Sequence, residues 1–201
     1  LTDKPGAAQS TIMIGHPGVD RTHPDYHALE VMNTILGGSF SSRLNTNLRE
    51  TKGYTYGARS GFLYQPTPGP FVSLAAVRTN VTDSSLVEFF KELAAIRDAE
   101  VAPDELERAK NYLALGLPGE FETTGQMASK RAELRTVGLD VATYEEYARK
   151  VLAVTAADVQ RVARTHLKPE QATVVVVGDL EAIRPGIEAL NLGRVEVRTP
   201  K

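Results

Sequence analysis

The chain of 201 residues is 42% hydrophobic and 24% charged, so it can bury a sizeable core without covalent staples. A formal net charge of -2 excludes the basic field that nucleic acid or an anionic membrane would require, and no apolar run nears the roughly 20 residues of a membrane span. The absence of cysteine removes disulfides, thiolate metal sites and cysteine nucleophiles.

The sequence opens at Leu1 without a methionine or a signal-like stretch, as expected of a piece of a longer protein. Between Ala7 and Gly18 a short apolar run ends in His16-Pro17-Gly18, which predicts a strand and a turn. A helix follows. Thr22 or His23 can cap it, Pro24 suits its first position and Asp25 its first turn. Ala28, Leu29, Met32, Ile35 and Leu36 keep the helical period, and Gly37-Gly38 is read as the stop. Ser41 or Ser42 then caps a second helix, SSRLNTNLRETK, which Gly53 ends.

Two strands come next. In YTYGARSGFLY, alternation places Tyr54, Tyr56, Ala58, Ser60 and Phe62 on one face. The Gly/Pro-rich turn QPTPGP leads into GPFVSLAAVRT. Thr82 or Asp83 starts a helix carrying Leu86, Phe89, Phe90, Leu93 and Ile96. Pro103 starts another, with Leu106, Ala109, Leu113 and Leu117 inward, broken by Pro118-Gly119. Helices are expected from about Glu122 to Val137 and once or twice between Thr143 and Leu167. The run ATVVVVGDL reads as a central strand buried on both faces. Asp179 caps a last helix to Leu190, and RVEV reads as a weak edge strand. The order predicts one α+β domain over residues 1–201, with helices on one face of a mostly antiparallel sheet.

Four histidines invite a search for metal ligands. His23 and His27 are four apart with Glu30 three further on, a spacing that could hold zinc on one helix face. Neither H-E-x-x-H nor H-x-x-E-H is present, and Pro24 places His23 at the helix end, so a wet helix terminus is the better reading. His16 and His166 have no ligand-spaced companions in sequence. Arg49 and Tyr56 flank Gly53 at a helix-to-strand junction. Converging arginine and tyrosine donors suit a carbonyl oxygen that becomes an oxyanion. Spacing alone favours a blander role, a helix-end cation and a packed strand tyrosine.

The stretch ILGGSFSSRLNTNLRETKGYTYGARSGF closely resembles the signature of the C-terminal, inactive domain of the insulinase/pitrilysin family of zinc metallopeptidases, which includes the mitochondrial processing peptidases. The stretches QSTIMIGHPGVDRTHPDYHALEVMN, APDELERAKNYL and VVVVGDL fall in the family's order, so the resemblance covers roughly residues 9 to 190. It implies a zinc-bearing first domain with the inverted motif H-x-x-E-H and a downstream glutamate ligand. It also implies a second domain of similar fold that closes over a peptide and supplies Arg49 and Tyr56 to position it and stabilise the tetrahedral intermediate. This chain lacks the zinc motif. The resemblance therefore implies no metal and no hydrolysis by the chain alone, with the zinc held by an N-terminal domain or a separate subunit. A non-catalytic scaffold subunit is the family's other implied outcome. Because such halves pack against a similar domain, a homodimer through the same surface is a further expectation.

Overall fold

The computed structural model describes residues 1–198. Thirteen strands and helices follow the chain: β1 (Thr2–Asp3), β2 (Gln9–Pro17), α1 (Tyr26–Asn33), α2 (Arg43–Asn45), β3 (Thr55–Phe62), β4 (Pro70–Arg78), α3 (Thr82–Asp98), α4 (Pro103–Gly116), α5 (Thr124–Thr136), α6 (Tyr147–Leu152), α7 (Ala156–His166), β5 (Thr173–Gly178) and α8 (Leu180–Ala189). Wider, π-type turns continue α1 through Thr34–Gly38 and α2 through Thr46–Thr51.

The five strands lie in the order β1-β5-β2-β4-β3. Only β1 and β5 run parallel, and the other pairs are antiparallel, giving the expected α+β architecture. One face of the sheet is covered. On it Ser10, Ile12, Ile14 and His16 of β2 alternate with exposed neighbours and meet Leu29, Met32, Leu86, Phe89 and Leu93 of α1 and α3. No helix among the described residues covers the other face, and Met13 and Val175 stand exposed there side by side in the β2–β5 register. The expected caps are met only in position: Ser42 and Asp179 stand at N-caps without a side-chain cap bond, α1 starts after Asp25 and not at Pro24, and α3 starts after Val81 with Thr82 and Asp83 inside it. Thr123 and Thr155 form capping boxes with Gln126 and Asp158 at the starts of α5 and α7.

Four further expectations change. The valine run is a strand next to the sheet centre, but Val175 is 43% exposed, so burial on both faces is wrong. Four consecutive valines satisfy a one-faced strand as well, because valine suits the pleat wherever it lies. Arg194–Val197 make no strand. Only a single bridge between Thr2 and Arg198 forms at that edge. Gly37-Gly38 does not stop α1 through a left-handed residue, since neither glycine has positive φ. Gly37 is required by a close approach instead. A Cβ there would lie 2.5 Å from the backbone nitrogen of Ser60 in β3. Gly53, at φ 63°, is the left-handed stop that the sequence predicts. The fourth change, in β3, shapes the candidate site.

Candidate functional site

Leu44 and Leu48, four residues apart, are fully buried and pull the α2 segment onto the core. Arg43 makes a bidentate pair with Glu105 of α4, both contacts at 2.7 Å, which fixes the segment's rotation. Arg49 follows Leu48 and so turns away from the core. The wide turn around it is seen in the bond from Lys52 N to Asn47 O at 2.9 Å, five residues back. Such turns recur at functional sites. Tyr54 N then donates to Leu48 O at 2.8 Å, which anchors the start of β3 to the same turn.

Two asparagines close the free edge of β3. Asn33 Nδ2 donates to Ser60 O at 3.1 Å, and Ser60 Oγ donates to Asn33 Oδ1 at 2.7 Å. Asn45 Oδ1 accepts from Ala58 N at 3.2 Å, while Asn45 Nδ2 donates to Phe40 O at 2.7 Å. Asn45 is thus a buried knot joining the Gly38–Ser42 loop, α2 and β3.

Tyr56 sits at a β-bulge. Thr55 pairs with Val77 and Ala58 with Ala75, so Tyr56 and Gly57 together oppose Ala76. The Thr55 hydroxyl secures the bulge, donating to Ala76 O at 2.6 Å and accepting from Gly57 N at 3.1 Å. The extra residue breaks the predicted alternation. Tyr54 and Ala58 keep to the core side, whereas Tyr56 leaves it and is 91% exposed. Arg49 is about one-third exposed. Its guanidinium carbon lies 4.4 Å from the centre of the Phe40 ring. Arg49 Nη1 is 3.3 Å from Glu50 Oε1, but the contact is not aligned as a hydrogen bond and Nη1 has no acceptor. The geometry therefore joins Arg49 to Phe40 and presents Tyr56 beyond the same anchored junction. Sequence reasoning missed Phe40 and Asn45. The only available signal was a large apolar residue in a Gly/Ser turn.

The histidines fall elsewhere. His166 does have companions, contrary to the spacing argument. His23, Asp25 and His166 each place a ligand atom within 4.8 Å of the others. That group is already closed on itself. Asp25 Oδ1 is 2.9 Å from Arg161 Nη2, Asp25 Oδ2 is 2.8 Å from His166 Nε2, and His23 Nδ1 accepts from Asp25 N at 3.1 Å. The bond from Arg161, set against the cost of burial, holds the Asp25 carboxyl below its ordinary range. His27 and Glu30 face a different setting. Burial pushes the His27 imidazole down to about 4, helped by the charges of Lys150 and Arg21. Burial pushes the Glu30 carboxyl up, against the pull of Tyr64, Arg21 and Tyr26. Arg21 stacks 3.5 Å over the Tyr26 ring. A cavity of about 490 Å³ lies at the opposite edge of the sheet, along Thr173–Val175 and Leu192–Glu196, remote from Arg49 and Tyr56 in the strand order.

A family model, the peptidase M16 inactive domain, matches residues 1–113, the part that holds Arg49, Tyr56 and the sheet from β1 to β4. This chain belongs to the peptidase M16 inactive-domain family. The M16 domain is 28% identical over 178 residues to an uncharacterised zinc protease of Streptomyces coelicolor, across 88% of this chain and 39% of that protein. It is 26% identical to the mitochondrial-processing peptidase subunit beta of Dictyostelium discoideum, across 79% and 35% of the two chains. The crystal structure of a peptidase M16 inactive domain from Pseudomonas fluorescens superposes with a TM-score of 0.81 at 27% identity, covering 89% of this chain and 42% of that one. The chain thus spans about two-fifths of the length of the curated relatives it matches.

Zinc is the metal that the relatives' names imply, and the described residues do not fit it. His27 and Glu30 keep the first half of an H-x-x-E-H pattern, but the next residue is the fully buried Val31. Their polar neighbours are tyrosines and Arg21, which add a positive charge where a cation would sit. At Asp25 the guanidinium of Arg161 plays the same part. No helix among the described residues is long and apolar enough to cross a membrane.

Proposed function

We propose that residues 1–201 form one substrate-clamping, non-zinc-binding domain of a larger zinc endopeptidase. Arg49 and Tyr56 bind the peptide backbone and steady the tetrahedral intermediate. The observation that carries this reading is the bulge. It spends a β-branched anchor, Thr55, and an unpaired residue on turning a tyrosine out of the core, where alternation would otherwise bury it. A phenol turned out to solvent and the exposed part of the Arg49 guanidinium offer donors to an oxygen that arrives from outside.

The zinc, held by an N-terminal domain or a separate subunit, would polarise the scissile carbonyl and activate water. That half is expected to close over the uncovered sheet face, where Met13 and Val175 are left to solvent. A second copy of this domain could occupy the same face when the zinc half is missing.

The test pairs the domain with its zinc-bearing half and measures kcat/KM on a peptide. Arg49→Ala is expected to lower turnover by ~10²–10³, about 3–4 kcal/mol, as for other oxyanion donors. Tyr56→Phe, which removes one hydroxyl, is expected to lower it by a smaller factor. Unchanged kcat/KM in both variants would discard the clamp and favour a scaffold subunit of the same family.

A further inference from the structure

The loop between α1 and α2 holds one large side chain that the clamp leaves unused. Phe40 is 72% exposed. A solitary exposed phenylalanine is ordinary. This one is held in place. Its carbonyl accepts from the buried Asn45 at 2.7 Å. Its flanking residues are tied down as well, with Ser39 Oγ donating to Thr34 O at 3.1 Å and Ser42 N to Ser39 O at 3.2 Å. Arg49 lies over the ring, so the guanidinium and the aromatic surface form one continuous patch.

The two parts of that patch ask for different things. The Arg49 guanidinium is about one-third exposed, and its ion-pair partner, Glu50 at 3.3 Å, is not aligned as a hydrogen bond. Its open side can take a better-aligned acceptor, which a ligand would supply. The free part of the Phe40 ring is apolar and gains by being covered. A peptide in extended form offers both at once, a backbone carbonyl and the side chain next to it. A free anion would answer the guanidinium and leave the ring wet.

We infer that Phe40 is a specificity-determining residue, the floor of a subsite for a bulky aliphatic or aromatic side chain of the peptide, beside the carbonyl that Arg49 receives. This rests on the clamp reading above. Asn45 serves as a positioning residue, because its amide sets the height of the Phe40 loop against both α2 and β3.

The experiment uses the domain together with its zinc-bearing half and a peptide set in which each position flanking the cleaved bond is either Phe or Ala. At one position the wild type should prefer Phe by about 10- to 200-fold in kcat/KM, the range an apolar pocket can supply. Phe40→Ala should bring that ratio close to one. Phe40→Leu should keep most of it, since an aliphatic floor still excludes water. The melting curve of Phe40→Ala should match the wild type, because the ring is not part of the core. Arg49→Ala should lower kcat for both peptides and leave their ratio in place. A Phe-to-Ala ratio that survives Phe40→Ala, or a wild type with no preference at any position, overturns the subsite. If Arg49→Ala lowers kcat while that ratio survives, only the subsite fails. If Arg49→Ala also leaves kcat unchanged, the clamp falls with it.

Discussion

Two polar clusters lie at the two ends of α1, and they are built in opposite ways. At the N-terminal end Asp25 holds Arg161 on one oxygen and His166 on the other, and His23 accepts from the Asp25 backbone. Each charge there is answered from within. Beyond the C-terminal end, Arg49 meets only the adjacent Glu50 at 3.3 Å, without an aligned hydrogen bond, and the Tyr56 phenol stands in solvent. The first cluster ties α7 to the start of α1 and needs nothing more. The second leaves donors open, as the proposed clamp requires and a structural staple does not.

Exchanging the two arginines gives the largest expected contrast. Arg49→Ala should abolish most turnover of the paired enzyme and barely move the melting temperature. Arg161→Ala should spare turnover and lower the melting temperature only slightly, because that pair is partly in solvent. If Arg49 and Tyr56 serve one oxygen, the double variant Arg49→Ala/Tyr56→Phe will lose less than the product of the two single losses. Strict additivity would separate their roles.

The frame between the clusters can be broken next. Gly37→Ala drives a methyl into the Ser60 backbone, and overpacking of this kind costs typically about 1–3 kcal/mol. Urea unfolding would read it, and activity should fall with it because β3 carries Tyr56. Asn45→Ala removes the partners of Phe40 O and Ala58 N, for a loss of about 1–3 kcal/mol. An Asn45→Ala protein as stable as the wild type would show that water replaces the knot.

Acid sharpens the comparison from the other side. Folded His27 stays neutral down to about pH 4, whereas an unfolded imidazole takes its proton near 6.5. Folding excludes a proton over that window, so stability should fall as pH drops from about 6.5 to about 4. His27→Gln should flatten that slope in a series of thermal melts. Asp25 adds a later loss. Its lowered carboxyl stabilises the fold above the unfolded carboxylate range, and the contribution disappears as pH falls through the folded value. The smallest effect is expected for Asp25→Asn at neutral pH. The pair with Arg161 is partly in solvent and worth roughly 0.2–1 kcal/mol.

Much of this was legible in residues that act locally. Pro103 at a helix start and the Leu44–Leu48 spacing specify structure within a few positions, so the placement of those helices could be read directly. Gly53 declared its left-handed turn for the same reason. Most of the misses involve a distant partner. Ser60 explains Gly37, and no pattern around Gly37 contains it. The meeting of His166 with Asp25 spans 141 positions. The RVEV segment has strand composition but no ladder to join.

The residue types of the candidate site, Arg49 and Tyr56 around a glycine break, were set by the sequence alone, because donor chemistry belongs to the side chain itself. What those donors face was decided only by tertiary structure. Register against β4 inserts the bulge that turns Tyr56 outward, and the Asn45 knot brings Phe40 beneath Arg49. A strand shows its own alternation, but the extra residue exists only relative to the partner strand. The direction of a side chain is therefore a property of the pair.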